Sequence, residues 1–244
     1  MLKQFVARVL IACFFMLGGS PLLLGSETAK IVKLNGDVKV REGLNENWDT
    51  AHIGMLLRDI DTILTLESSE VVLELDNGET FRLSSNAVVD IGDLRKITER
   101  ELFLFLMSQK MDQIKTPEGK SKLRITNVSV VRAENKAAGN TESQSKAESF
   151  WQQETNGARS MYEQDFFPNA IMKFHKILQK YPALEMCSEI YFYLAKSFEN
   201  INEPGRALEA YRLVLAHAEH DACGMLPLDE MVAESTQAIK RLKD

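Results

Sequence analysis

The apolar period of this chain changes once, and that change limits what it can fold into. In "DTILTLESSEVVLELDNGETFRLSSNAVVDIG" (Asp61–Gly92) apolar and polar residues alternate, the pattern of half-buried strands. After Phe150 apolar residues recur at helical spacing. Between the two, "AENKAAGNTESQSKAES" (Ala133–Ser149) has no aromatic or large aliphatic residue. Such a stretch buries too little to offset its ordering entropy, so residues 133–149 are expected to be a flexible linker. For its second half, a polar helical extension running into Phe150 stays open. The fold class expected is α+β in two domains, an all-β N-terminal part and an α-helical C-terminal part.

Within the first part, Val71, Leu73 and Leu75 share one strand face, with Val72 and Glu74 on the other. Asn77-Gly78 supplies a turn, and Phe81 and Leu83 continue the inward face. "KIVKLNGDVKVREG" (Lys30–Gly43) is broken at Asn35-Gly36-Asp37, which predicts another hairpin. Short strands with tight turns argue for a small sandwich or a rolled, solenoid-like stack. "LRKITERELFLFLMSQKMDQIK" predicts a helix over about 97–115, with Leu102, Phe103, Phe105, Leu106 and Met107 as a wide apolar face. That face is expected to cover an open end or face of the β unit; a dimer or partner helix is the alternative.

Gly36 with its Val-x-Val follow-on, Trp48, Ala51, Gly54, Leu57, Asp61, Thr65, Ser69, "VVLELDNG", Leu83 and "AVVDI" together resemble the FecR domain, from about Ala29 to Leu94. That domain is named after the periplasmic regulator of ferric citrate uptake. The resemblance implies an all-β, extracytoplasmic, non-enzymatic unit, here spanning 27–132. Some family members relay signals to sigma factors from a cytoplasmic segment ahead of a transmembrane helix. Here eight residues precede the apolar stretch, so that branch is not expected to apply. "TPEGKSKLRITNVSVVRAE" (Thr116–Glu134) loosely echoes the family's later stretch and is expected to form a final pair of strands.

Lys3 and Arg8 precede the apolar "VLIACFFMLGGSPLLLG", interrupted by Gly18, Gly19 and Pro21. This is the layout of an export signal over residues 1–26, cleaved or retained as an anchor. "LIAC" (Leu10–Cys13) also has the look of a lipoprotein box, though Arg8 splits the apolar run before it. The net charge is −6, and loss of Lys3 and Arg8 would take it to −8. That balance disfavours nucleic acid and anionic lipid, whose counterions Lys and Arg must replace. Membrane contact is therefore expected only through an uncleaved N-terminal segment. Export leaves Cys187 and Cys223 in a compartment that permits disulfides.

In the second part, Ala158, Ala170, Phe174 and Pro182 stand at the separations of one tetratricopeptide (TPR) repeat. Ala195, Ala207 and Tyr211 follow Ala158, Ala170 and Phe174 at an offset of 37 residues. The small residues let paired helices approach and the aromatic fills the space between them. "LPLDEMVAESTQAIKRLKD" is expected to be a capping helix, so that 150–244 holds two repeats and a cap. The resemblance to TPR scaffold proteins implies a concave groove lined by the first helices. Repeat offsets place Gln152, Thr155, Arg159 and Tyr162 there from the first copy, and Glu189, Phe192, Lys196 and Glu199 from the second.

Cys187 and Cys223 lie almost one period apart, and equivalent points of neighbouring repeats are close, so a disulfide is the candidate pairing, with two separate buried thiols as the alternative. "HAEHDAC" gathers His217, His220, Asp221 and Cys223, but no second ligand pair follows and histidine near a helix C-terminus complements the dipole. No metal or cofactor site is expected. Asp59 and Asp61 could do acid–base work only in a cleft that raises one pKa, and their place between strands suggests turns. Glu27 to Ile97 carries 14 acidic and 8 basic residues, an acidic surface rather than an active site.

The function expected from the sequence is therefore a non-enzymatic adaptor or scaffold of the bacterial periplasm or envelope, binding a protein through the helical groove. An envelope sensor or relay component is one alternative; a peptidoglycan- or carbohydrate-binding protein is the other.

Overall fold

The computed structural model describes residues 27–113, 141–221, 223–224 and 227–243. The expected export signal (1–26), the expected strand pair (Thr116–Glu134) and the first part of the expected linker lie outside the described residues. No helix among the described residues is long and apolar enough to cross a membrane.

The chain is α+β in two parts. Eight strands form two antiparallel four-stranded sheets. The first runs β4 (Leu56–Arg58), β1 (Glu27–Asn35), β6 (Glu70–Leu75), β7 (Thr80–Leu83). The second runs β3 (Asp49–Thr50), β2 (Val38–Arg41), β5 (Thr62–Thr65), β8 (Ala87–Asp90). As the alternation predicts, Val71, Leu73, Leu75, Phe81 and Leu83 are buried, and they share one core with Val38, Val40, Ile63 and Val89 of the other sheet. Asn77-Gly78 closes the β6–β7 hairpin with Gly78 at φ +82°, a conformation glycine adopts without Cβ strain.

The Asn35-Gly36 turn behaves differently from expectation. It makes no hairpin: β1 pairs with β4 and β6, whereas β2 pairs with β3 and β5. The turn is instead the corner where the chain passes from one sheet to the other. Ser69 fixes that corner, its Oγ accepting the Asp37 N–H at 2.8 Å while Leu66 N–H donates to Asp37 O at 3.0 Å. Gly36, at φ +81°, lies so close to Ser69 that a Cβ would overlap it.

Six helices follow among the described residues: α1 (Glu99–Gln113), α2 (Thr141–Glu163), α3 (Phe167–Lys180), α4 (Ser188–Asn200), α5 (Pro204–His217) and α6 (Leu228–Arg241). A 3-10 turn (Ile91–Leu94) leads from β8 toward α1. Helix α2 begins inside the stretch expected to be linker. Helices α2–α3 and α4–α5 are hairpins that repeat each other closely. Ala158, Ala170 and Phe174 are fully buried, and Ala195, Ala207 and Tyr211 are buried at the equivalent positions. The turns repeat too: Asp165 and Asn202, at the same offset, both have positive φ. Phe166 N–H donates to Met161 O, and Glu203 N–H donates to Phe198 O, both at 2.9 Å, the 6→1 bond that closes a helix around a left-handed residue.

Helix α1 also packs elsewhere than expected. It lies on α3, with Leu106 buried, Phe105 against His175 at 5.9 Å, and Gln179 of α3 donating to Gln109 at 2.6 Å. Its apolar face is wider than this one contact can cover, which leaves Phe103 and Leu104 more than half exposed.

The two parts dock directly. Helix α2 crosses β8 at Gly157, where a Cβ would overlap the Val88 carbonyl oxygen. Asn156 Nδ2 donates to Asn86 O at 2.8 Å. The Gln164 amide pairs with the edge strand β7, accepting Arg82 N–H and donating to Arg82 O, both at 2.7 Å. That side chain therefore occupies backbone groups an edge strand would otherwise present to other chains. Beneath these contacts, Lys173 of α3 inserts its ammonium between Asp90 and Asp93, 2.9 Å from each. Asn169 adds bonds to Asp93 O and Arg95 O at 2.6 and 2.8 Å.

Gly157→Ala tests this docking. Alanine would gain about 1 kcal/mol of helix propensity, yet the Cβ meets backbone that cannot swing aside. A net loss of about 2 kcal/mol is expected, measured by urea unfolding. At Gly205 nothing lies within 4 Å of an added Cβ, so Gly205→Ala should be neutral or stabilising. Equal effects at both glycines would contradict the close approach.

Candidate functional site

The expected groove residues lie on α2 and α4, but many of their polar groups are engaged within the chain. Arg159 donates to Asn156 Oδ1 at 2.8 Å and pairs with Glu189 at 3.5 Å and Glu163 at 3.8 Å. Lys196, one repeat later, pairs with Glu234 of α6 at 2.8 Å and lies over the Phe192 ring at 5.1 Å. Glu199 accepts the Tyr211 hydroxyl at 2.6 Å and an N–H of Arg241. Tyr162 packs edge-on to Tyr193 at 5.2 Å. Gln152 is exposed.

Thr155, Glu189 and Phe192 are buried rather than lining an open face. Thr155 Oγ1 turns back onto Trp151 O at 2.9 Å. Arg159 and Lys196 do stand at equivalent places on α2 and α4, but each cation reaches a carboxylate on another helix, Glu189 of α4 and Glu234 of α6. The expected anchors Arg159 and Lys196 therefore have partners already, and a ligand would have to displace Glu189 or Glu234.

Glu189 is the least settled of these groups. It is fully buried, Oε2 has no hydrogen-bond partner, and its one ion pair is the long one to Arg159. Burial, reinforced by Asp221, outweighs Arg159 and raises its carboxyl to about 7. The folded chain thus retains a proton that the unfolded chain releases from pH about 4.5 upward. Stability from this group is full below that value and is lost as pH rises through about 7. Glu189→Gln should remove the slope and exceed the parent in stability at pH 8 by about 2–3 kcal/mol. His175, held neutral by burial down to about pH 4, gives the opposite slope below its ordinary value. It cancels in the difference between parent and variant measured from pH 5 to 8. A flat difference would contradict the assignment.

Cys187 and Cys223 are joined in a disulfide, with Cα atoms 5.2 Å apart. Beside it, Asp221 accepts Ser188 N–H at 2.7 Å and Gly224 N–H at 2.8 Å. It so supplies the N-terminal cap of α4 that Cys187, in the cap position, does not. His217 stacks on Tyr191 at 5.3 Å. His217, Asp221 and Cys223 thus have structural partners, and among the described residues no group of three or more His, Cys, Asp and Glu is placed to hold a metal ion. Asp61 is likewise a turn pin: its carboxylate accepts Gly43 N–H at 2.9 Å and Arg58 N–H at 2.8 Å. Burial pushes its pKa up, but these donors outweigh it and hold the group below its ordinary value.

Open concavities are also present on another face. Two clefts flank α1 where it faces α4, α5 and the turn between them, of about 430 and 670 Å³. Both are lined by Leu106 and Arg206. Phe198 and Leu213 line the first, Phe103 and Ile201 the second. Sequence periodicity located the α1 face but not its partners on α5, because Arg206 and Leu213 fit an ordinary outer face of a helical hairpin. No protein-family model matches the chain, and no curated protein and no solved structure matches it.

Proposed function

We propose that this chain is a non-enzymatic, exported adaptor of the bacterial periplasm or envelope. In this reading a FecR-like β unit carries a short TPR module that binds a protein partner. The observation that carries it is how the side chains are used. The acids and cations of the expected groove, of the β-unit turn at Asp61 and of the junction are spent on pairs and caps within the chain. Large apolar groups, by contrast, stand exposed: Phe103 and Leu213 in the lining of open clefts, and Leu104 and Met107 on the same helix as Phe103. Side chains in that state suit contact with another protein better than turnover of a substrate.

Two further features support parts of the reading. The Cys187–Cys223 bridge suits an oxidising compartment. The paired helices repeat their alanines, their turn residues and the cations Arg159 and Lys196 at one offset, and α6 receives Lys196 much as α4 receives Arg159. That makes α6 the counterpart of a third first helix, with a polar outer side suited to capping.

Crosslinking in intact cells, followed by identification of the captured proteins, tests the proposal. A specific protein partner captured through the helical part is expected. Capture of no protein above background would end the adaptor reading.

A further inference from the structure

We propose that the trench between α1 and α5 takes the apolar stripe of a basic amphipathic segment on a partner protein. This inference rests on the adaptor reading and moves the contact surface from the expected groove to the opposite side of the hairpins. The two clefts share Leu106 and Arg206, so they form one trench along α1. Its lining carries Leu102, Leu106, Leu194, Phe198 and Ile201, and Phe103 and Leu213 stand exposed within it. A stripe of side chains spaced i, i+3, i+4 and i+7 is the shape such a trench accepts.

Charge selects the partner. Glu185 and Glu209 border one cleft, and Glu99 and Glu203 the other, all four exposed. Against them the described residues of the lining include one permanent cation, Arg206, which Glu203 pairs at 3.7 Å and which lies 6.0 Å over the Phe198 ring. His175 adds no positive charge near neutral pH, because burial and Arg206 hold it uncharged. The described lining thus combines a run of large apolar side chains with an excess of acids. Lysine and arginine flanking an apolar stripe would meet opposite charge on both sides, and an acidic segment would be repelled.

The probe is a fluorescein-labelled 18-residue peptide of leucine and lysine with one apolar stripe, set against the same pattern in leucine and glutamate. With the full chain, the lysine peptide should bind at micromolar concentration and the glutamate peptide should not. Glu203→Lys with Glu209→Lys should weaken binding at least tenfold, as should Leu213→Ser. All three positions are exposed, so unchanged unfolding midpoints separate lost binding from lost fold.

Equal affinity for both peptides, or no response to charge reversal, would overturn the proposal. So would photocrosslinks from a benzophenone on Met107→Cys that fall within 114–140 of the same chain or on a second copy, since either would fill the trench by another occupant. If the charge-reversed chain still captures its partners in cells, the trench proposal fails while the adaptor reading stands.

Discussion

Lys173→Ala is expected to lower the unfolding free energy by about 3–5 kcal/mol. The ammonium is almost wholly buried between Asp90 and Asp93. Burial by itself would lower the lysine pKa, but the two carboxylates outweigh burial and raise it above the ordinary value. Removing the cation leaves Asp93, itself mostly buried, held to Lys176 alone at 2.6 Å, and leaves Asp90 with the Thr62 hydroxyl at 2.9 Å. Asp90 is pulled below its ordinary value of 3.8 chiefly by Lys173, against the opposing effect of burial. Its contribution is present above that value and is lost as pH falls through the depressed one. The parent should therefore lose stability in acid, and Lys173→Ala should flatten that loss. Urea titrations at pH 7 and pH 3 check both parts. A variant within 1 kcal/mol of the parent at pH 7 would mean that the junction does not depend on this cluster.

Opening the Cys187–Cys223 bridge should cost about 4 kcal/mol, the loop-closure entropy of a crosslink with 36 residues of separation. The bridge joins the residue before α4 to the stretch between α5 and α6, and it holds Asp221 against the start of α4. Cys187→Ala with Cys223→Ala should lower the thermal midpoint by about 10 °C. Reductant should do the same to the parent and nothing to the double variant. A parent indifferent to reductant, with two thiols titrating under denaturing conditions, would contradict the bridge.

What could be seen in the sequence was whatever short-range pattern determines. Alternation placed Val71, Leu73 and Leu75 inward, Asn77-Gly78 closed its hairpin, and the helix expected over about 97–115 runs Glu99–Gln113. The 37-residue offset placed equivalent alanines in equivalent buried positions. Asn35-Gly36 misled because a turn sequence specifies a change of direction, whereas the choice of partner strand is made by distant Ser69 and Leu66. The docking of the two parts was hidden for a related reason. Lys173 and Asn169 are polar residues on α3 and Gln164 one in the turn before it, and only contact with β8, the segment after it and β7 turns them into junction residues. Gly157 was the one local signal, since glycine inside a helix is costly unless another backbone comes close.

For the candidate site the limit was pairing. The repeat assigned Arg159 and Lys196 to equivalent positions, but Glu189 and Glu234, which occupy them, sit at no common offset. The trench depends on where α1 lies, and an amphipathic helix does not state which neighbour it packs against.

The central structural claim is that the β unit and the helical hairpins form one cooperative body rather than two tethered ones. Each part carries one tryptophan: Trp48, against Arg41 in the β unit, and Trp151 on α2. Trp48→Phe and Trp151→Phe each leave one reporter, so fluorescence during urea unfolding follows each part separately. The account predicts coincident midpoints and slopes for the two variants, both shifted together by Lys173→Ala. Two separate transitions, one for each tryptophan, with Lys173→Ala moving neither, would contradict it.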